Sequence, residues 1–314
     1  MQNSLYFYKT QLESHQSKSR DLFKTLSLYS ILRLLVFVLT GIGIYFTFKQ
    51  WQTTLAIGVL GVAIFLFLLS KYTDLKLERQ RYKRLVKINE EEIAIASGNF
   101  HERADGSEFQ NPKHFYSLDI DLFGIGSFFQ FTNRTNIKEG TQRFADSLLA
   151  NKITNIPKRQ EAIKELAEQP EWYQNYWAIA QGVEVEHSAK KIIKWLKDYK
   201  PFLSTTWFYI TIVFSILSSV IAGLAITEII PVGFLGYWLL LGLGITFKFL
   251  KKINELAQNS SKTKKTFKQY ALLLNQIETK IFSSELLQEQ QQKVQLEGQK
   301  ASAIFAKFSN HIDI

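Results

Sequence analysis

Asp119 and Asp121 are the carboxylates whose spacing comes nearest to a chemical site. Two residues apart, they would project from one side of a strand, a beginning of a cation site. No third oxygen ligand is placed nearby, so capping a helix or pairing with an arginine such as Arg134 or Arg159 is the preferred reading. Gly124-Ile-Gly126 opens like a dinucleotide fingerprint, but Phe129 stands where the third glycine belongs. There is no Gly-x-x-x-x-Gly-Lys-Ser/Thr loop, no Gly-x-Ser-x-Gly elbow and no His-Glu-x-x-His. The chain has no cysteine, which excludes disulfides, thiolate nucleophiles and cysteine-ligated metal centres. Its five histidines, His15, His101, His114, His187 and His311, never fall three or four apart, so they offer no helical ligand pair. No catalytic residue, resident cofactor or metal is expected in these 314 residues.

What must position the remaining residues is a set of four apolar runs. They are Leu28 to Phe48, interrupted by Arg33; Thr53 to Ser70; Thr205 to Thr227; and Pro231 to Phe247. Each is about as long as the roughly 20 helical residues that cross a bilayer. Short linkers, Lys49 to Gln52 and Glu228 to Ile230, join them into two transmembrane hairpins. Arg33 is expected to reach toward the headgroups. Lysine and arginine flank the runs on one side, with Lys9, Lys18, Arg20 and Lys24 before the first and Lys71 to Lys87 after the second. Lys190 to Lys200 and Lys248 to Lys268 flank the other two, whereas the hairpin tips carry only Lys49 and Glu228. That asymmetry predicts that every soluble part is cytoplasmic. With 38 Lys+Arg against 28 Asp+Glu, the net charge is +10, suited to anionic lipid or to nucleic acid.

Tyr72 to Ser97 reads as a helix continuing from the second run, stopped by Gly98. Phe115 to Asn133 is mainly apolar. Helices are expected over Lys138 to Asn151, Pro157 to Glu168 and Glu171 to Gln181, the last with a buried stripe of Trp172, Tyr173, Tyr176 and Trp177. A basic helix, Ser188 to Tyr199, leads to the third run. Beyond the fourth, helix is expected almost to the end. Phe267, Tyr270, Leu274, Ile277 and Ile281 form a coiled-coil-like seam, and Ala301, Phe305 and Phe308 form a later apolar face. The chain stops directly after that face, at Ile314, and is expected to be cut rather than finished.

The stretch from His114 through Leu118-Asp-Ile-Asp-Leu-Phe-Gly-Ile-Gly-Ser to Asn133-Arg-Thr, then Gly140, Leu148-Leu149 and Arg159-Gln-Glu-Ala-Ile, carries a resemblance. It resembles the start of the core domain of the MutS family of DNA mismatch-repair proteins, and in particular the membrane-anchored MutS-like proteins of bacteria. The close likeness covers roughly Gly106 to Gln181. The positions that match the family's core motif are Asp119, Asp121, Leu122, Phe123, Gly124, Ser127, Asn133, Arg134, Thr135, Gly140, Arg159 and Gln160. The resemblance implies a structural role for them, at the junction between the core and its long lever helices.

The fold class so implied is mainly α: two transmembrane helical hairpins, a helical MutS-core-like cytoplasmic domain and long lever-like helices. Residues 1–27 are then a cytoplasmic segment, 28–70 the first hairpin, 71–204 the core-like domain, 205–250 the second hairpin and 251–314 a lever-like segment. The family's ATPase domain, with ATP and magnesium, would follow the levers. The family's mismatch-reading wedge has no counterpart here. Partners implied are membrane lipid, DNA without sequence preference and, for the full-length protein, a second copy. Lys262, Lys264, Lys265 and Lys268 are the candidate phosphate or lipid contacts. Arg134 is expected to be half-buried against Asp119 or Asp121. The competing reading is a non-enzymatic membrane scaffold that binds anionic lipid and a partner helix.

Overall fold

The apolar runs lie in four helices long and apolar enough to cross a membrane. A computed structural model describes residues 2–150, 153–183, 197, 204–227, 229–231, 233–296 and 298–311, which are mainly helical. They fall into two compact units: 1–183 with 276–294, and 184–275 with 295–314.

In the first unit, α1 (Gln2–Thr47) and α2 (Trp51–Ala96) each have 46 residues. Such a helix is about 69 Å long, more than twice the roughly 30 Å of a bilayer's hydrocarbon core. The two run antiparallel. Gly43 faces Ile57 and Gly61 faces Thr40, while Arg33 lies over Phe65 and Arg79 over Phe23. The Thr54 hydroxyl donates to the Thr47 carbonyl at 2.6 Å and ties the connecting turn. Residues 1–27, expected only as a flanking segment, are helical from Gln2, and Leu22 and Leu26 are buried. The apolar half of each helix leaves Phe37, Phe46, Leu60 and Phe67 exposed. The other half of α2 buries Leu85, Ile88, Asn89, Glu92 and Ile95, spaced by three and four along one face. Gly98, at φ 85°, follows the helix in the left-handed conformation that favours glycine at a C-terminus.

Gly61 allows the closest approach in this pair, since a Cβ there would lie 2.2 Å from Thr40 Oγ1. Gly61→Leu is therefore expected to push α1 and α2 apart. Because the chain has no cysteine, a G43C/I57C disulfide can report their separation. Its yield should fall several-fold in the G61L background, and an equal yield would mean that the pair absorbs the added bulk.

Residues 100–137 are irregular, with a 3-10 turn at Ser107–Phe109 and α3 at Phe128–Thr132. The alternation around Asp119 does not make a strand: residues 115–121 form successive turns, ending in Asp121 at φ 46°. Gly124 at φ 108° and Gly126 at φ 78° prevent an extended run from resuming. Then come α4 (Lys138–Leu149), α5 (Ile156–Ala167) and α6 (Pro170–Ala180). Proline in the first turn of α5 and of α6 suits a position whose N–H has no helical partner. In α6, Trp177 is buried, while Trp172, Tyr173 and Tyr176 are only half-buried.

In the second unit, α7 (Thr205–Ile226) packs antiparallel on α8 (Gly233–Glu278), whose last turn belongs to the first unit. Phe214 and Trp238 stack at 4.9 Å and 9°, and Trp238 Nε1 donates to Ser218 Oγ at 2.8 Å. Gly242 lies under the Phe214 ring. The basic helix expected over Ser188–Tyr199 lies outside the described residues, apart from Lys197, which is helical.

The helix expected almost to the end of the chain is interrupted. Helix α8 ends at Glu278, and a bend precedes α9 (Glu285–Gln292). A two-residue ladder, β1 (Gln295–Leu296) with β2 (Gln299–Lys300), leads to α10 (Ala301–His311). Capping from outside the local sequence explains the break. Glu165 Oε1 and Oε2 accept from the Ser283 and Ser284 amides at 2.8 and 2.7 Å, satisfying donors at the start of α9. Gln291 Nε2 donates to the Ile277 and Lys280 carbonyls at the end of α8. The seam is accordingly split. Phe267 packs on Phe305 and Phe308 of α10, whereas Ile281 lies beyond the helix and is exposed.

Candidate functional site

Two small cores meet the Asn133-Arg134-Thr135 turn. One joins α2 to α6 through Leu85, Ile88, Trp177 and Ala178, with Tyr82 and Tyr173 packed against it. Arg81 Nη2 donates to Asn175 Oδ1 at 2.7 Å and Arg84 Nε to the Ala178 carbonyl at 2.6 Å, so the helices are bound along their length. The other joins the irregular segment to α4 through Leu122, Phe123, Phe129 and Ala145.

The turn lies between them. Asn133 Oδ1 accepts from the Thr135 amide at 2.9 Å and from its hydroxyl at 2.6 Å, an arrangement that asparagine supports with its own side chain. The Thr135 hydroxyl also meets Thr141 Oγ1 at 2.8 Å, which attaches the turn to α4. Gly140, in the first turn of α4, faces Ile137 and Thr135. Arg134 then reaches back to α2. Its Nε and Nη2 donate to Glu92 Oε1 and Oε2 at 2.6 and 3.1 Å, and its Nη1 donates to the Phe131 carbonyl at 2.7 Å. Tyr173 Oη donates to the same Glu92 at 3.2 Å. The guanidinium lies 6.0 Å from the centre of the Trp177 ring.

This is a two-pronged ion pair, the geometry that makes arginine selective for carboxylate. Burial works against the Arg134 charge, but the bond and proximity to Glu92 more than offset it and hold the guanidinium pKa above its ordinary value. Burial and the Glu92 charge push the Tyr173 phenol well above the usual tyrosine range, so it stays a donor. Arg103 is lowered by burial and by Arg134 beside it, and its Nη2 donates to the Asn133 carbonyl.

The sequence expectation for this turn was right about burial and about a carboxylate partner, and wrong about which one. Asp119 and Asp121 are exposed on the turns before the core, and neither pairs with Arg134 or Arg159. Leu122 and Phe123 are core residues. Gly124 donates its amide to the Asp105 carbonyl at 2.9 Å, and Ser127 caps α3 by accepting from the Gln130 amide at 3.1 Å. These residues form one knot with the turn. Arg159 lies in α5, where its Nη2 donates to the Thr154 carbonyl, and Gln160 beside it is exposed. The four lysines are in α8 of the other unit. Lys262, Lys265 and Lys268 are exposed at steps of three and Lys264 is half-buried, alongside the buried Ser260, Thr263 and Thr266.

Sequence reasoning missed Glu92 and Gln130. Glu92 ends the run Glu90-Glu91-Glu92, but it alone falls on the buried face of α2 with Leu85, Ile88 and Ile95, a periodicity that was visible. Gln130 is 1% exposed. It donates to the His101 and Arg103 carbonyls at 2.9 and 2.6 Å and accepts from the Gly126 amide at 2.7 Å. No periodicity announces such a residue. Among the described residues no group of three or more His, Cys, Asp or Glu could hold a metal. The arrangement positions elements and presents no open ligand position.

No protein-family model, curated protein or solved structure matches this chain.

Proposed function

We propose that this chain is the membrane anchor and core-and-lever part of a MutS-like, DNA-acting ATPase of the bacterial cytoplasmic membrane. Two transmembrane hairpins hold it there, with the soluble parts facing the cytoplasm. The ATPase domain, with its ATP and magnesium, and the contacts between two copies belong to the full-length protein. The observation that carries this reading is the bidentate pair from Arg134 to Glu92. It locks the turn of the MutS-like motif to α2, the helix that also contains the second apolar run. In this reading the pair is the means by which the motif joins a core to its long helices.

In this reading DNA contact is nonspecific and made by phosphate-binding lysines of the lever helix. The test is binding of a short duplex by the chain in phosphatidylcholine nanodiscs across a salt series. Binding should be insensitive to sequence. Replacing Lys262, Lys264, Lys265 and Lys268 by glutamine should weaken it and flatten the log–log salt slope by roughly 0.9 for each phosphate no longer neutralised. An unchanged affinity and slope would remove these lysines from the DNA interface. No binding at low salt would favour the scaffold that holds anionic lipid and a partner helix.

A further inference from the structure

Arg33 is the one arginine or lysine inside the first two apolar runs. It stands five residues after Leu28, about 7.5 Å along α1 from the start of the run. Its guanidinium is held between two rings of α2, 5.1 Å from the centre of Phe65 and 5.2 Å from that of Tyr72. Nε is enclosed and has no hydrogen-bond partner. No carboxylate among the described residues lies within ion-pair distance of it. The pair of helices thus orients a permanent cation without neutralising it. Exposed Leu34, Leu35 and Phe37 continue along α1, and exposed Leu66 and Phe67 lie on α2.

We propose that Arg33, with Phe65 and Tyr72, forms a binding site for the phosphate of an anionic phospholipid where the apolar half of the first helix pair begins. The planar fork of arginine suits a phosphate, which can take two parallel hydrogen bonds. The flanking rings fix the fork through their π faces and leave the remaining donors to the ligand. Exposed leucine and phenylalanine beyond it offer apolar surface to the acyl chains. A headgroup fits better than a dissolved anion because the cation lies near the start of an apolar run, from which a long arginine side chain can reach the headgroup layer. The inference rests on the membrane embedding proposed above and is independent of DNA and ATP.

Native mass spectrometry of the full chain in neutral detergent tests this, with phosphatidylglycerol and phosphatidylcholine of the same acyl chains as probes. Phosphatidylglycerol should be retained about ten-fold more tightly than phosphatidylcholine, and Arg33→Gln should abolish that preference. The F65L/Y72L variant keeps the charge but loses the two rings, and should weaken retention several-fold. It decides the matter if Arg33→Gln fails to fold. Millimolar inorganic phosphate should not displace the lipid; displacement would make this a site for dissolved anions. Equal retention of the two lipids, or retention unchanged in the variants, would overturn the site and leave Arg33 only hydrated. Flotation of the wild-type chain with liposomes checks membrane embedding separately, so that failure of the wider reading is distinguishable.

Discussion

Arg134→Ala is expected to destabilise the folded chain by about 3–5 kcal/mol, the usual loss when one partner of a buried ion pair is removed. The side chains of Arg134 and Glu92 are 21% and 7% exposed, so water replaces little of what is lost. Alanine would leave the Glu92 carboxylate in the α2–α6 core with only the Tyr173 hydroxyl, and the Phe131 carbonyl without its donor. Trp177 stacks on Tyr173 at 6.0 Å, close to the guanidinium, so with the other five tryptophans replaced by phenylalanine its fluorescence reports the site. The E92A/R134A double variant should lose less than the sum of the single variants, because neither charge then remains unpaired. Thermal melts of the four proteins in one detergent complete the cycle. An unchanged melting temperature, or strict additivity, would show that the pair does not hold the junction.

The fold was legible wherever one physical signal acted over many residues. Four apolar runs and their lengths announced four helices, and the proline at 157 marked a helix start to within a residue. The sequence was less informative where structure depends on side chains brought from afar. The end of α8 is set by Glu165 and Gln291, and no window around Glu278 contains Glu165. The first 27 residues are mostly polar and carry no apolar run of their own. Their helix gains partners only once α2 lies beside it, with Tyr82 next to His15 and Arg79 donating to the Ser19 carbonyl. Of the candidate site, the turn Asn133-Arg134-Thr135 was readable because asparagine and threonine make their bonds locally. The carboxylates nearest to Arg134 in sequence among the motif residues are Asp119 and Asp121, and neither is its partner. The fold supplied it from 42 residues away.

Phe129→Ala is the second large effect expected, about 3–5 kcal/mol for an aromatic ring removed from a closed core. Phe129 is 0% exposed. Its ring lies 5.4 to 5.6 Å from those of Phe109, Phe123 and Phe144. Gly106, at φ 72°, approaches it so closely that a Cβ there would come within 2.6 Å of the ring. This packing also explains why Gly124-Ile-Gly126 is no nucleotide loop: the position of the missing third glycine is the centre of the core. Phe128→Ala, one residue earlier and half exposed, is the matched control and should change stability by no more than about 0.5 kcal/mol. Proteolysis should locate the damage, with new cuts within 100–149 while the apolar half of α2 stays protected. Equal melting temperatures for F129A and F128A would show that the hydrogen bonds of Gln130, Asn133 and Arg134 hold this segment without the aromatic cluster. The segment would then be held by a polar clasp, and a variant lacking Gln130 rather than Phe129 would be the one to release α3 from residues 101–103.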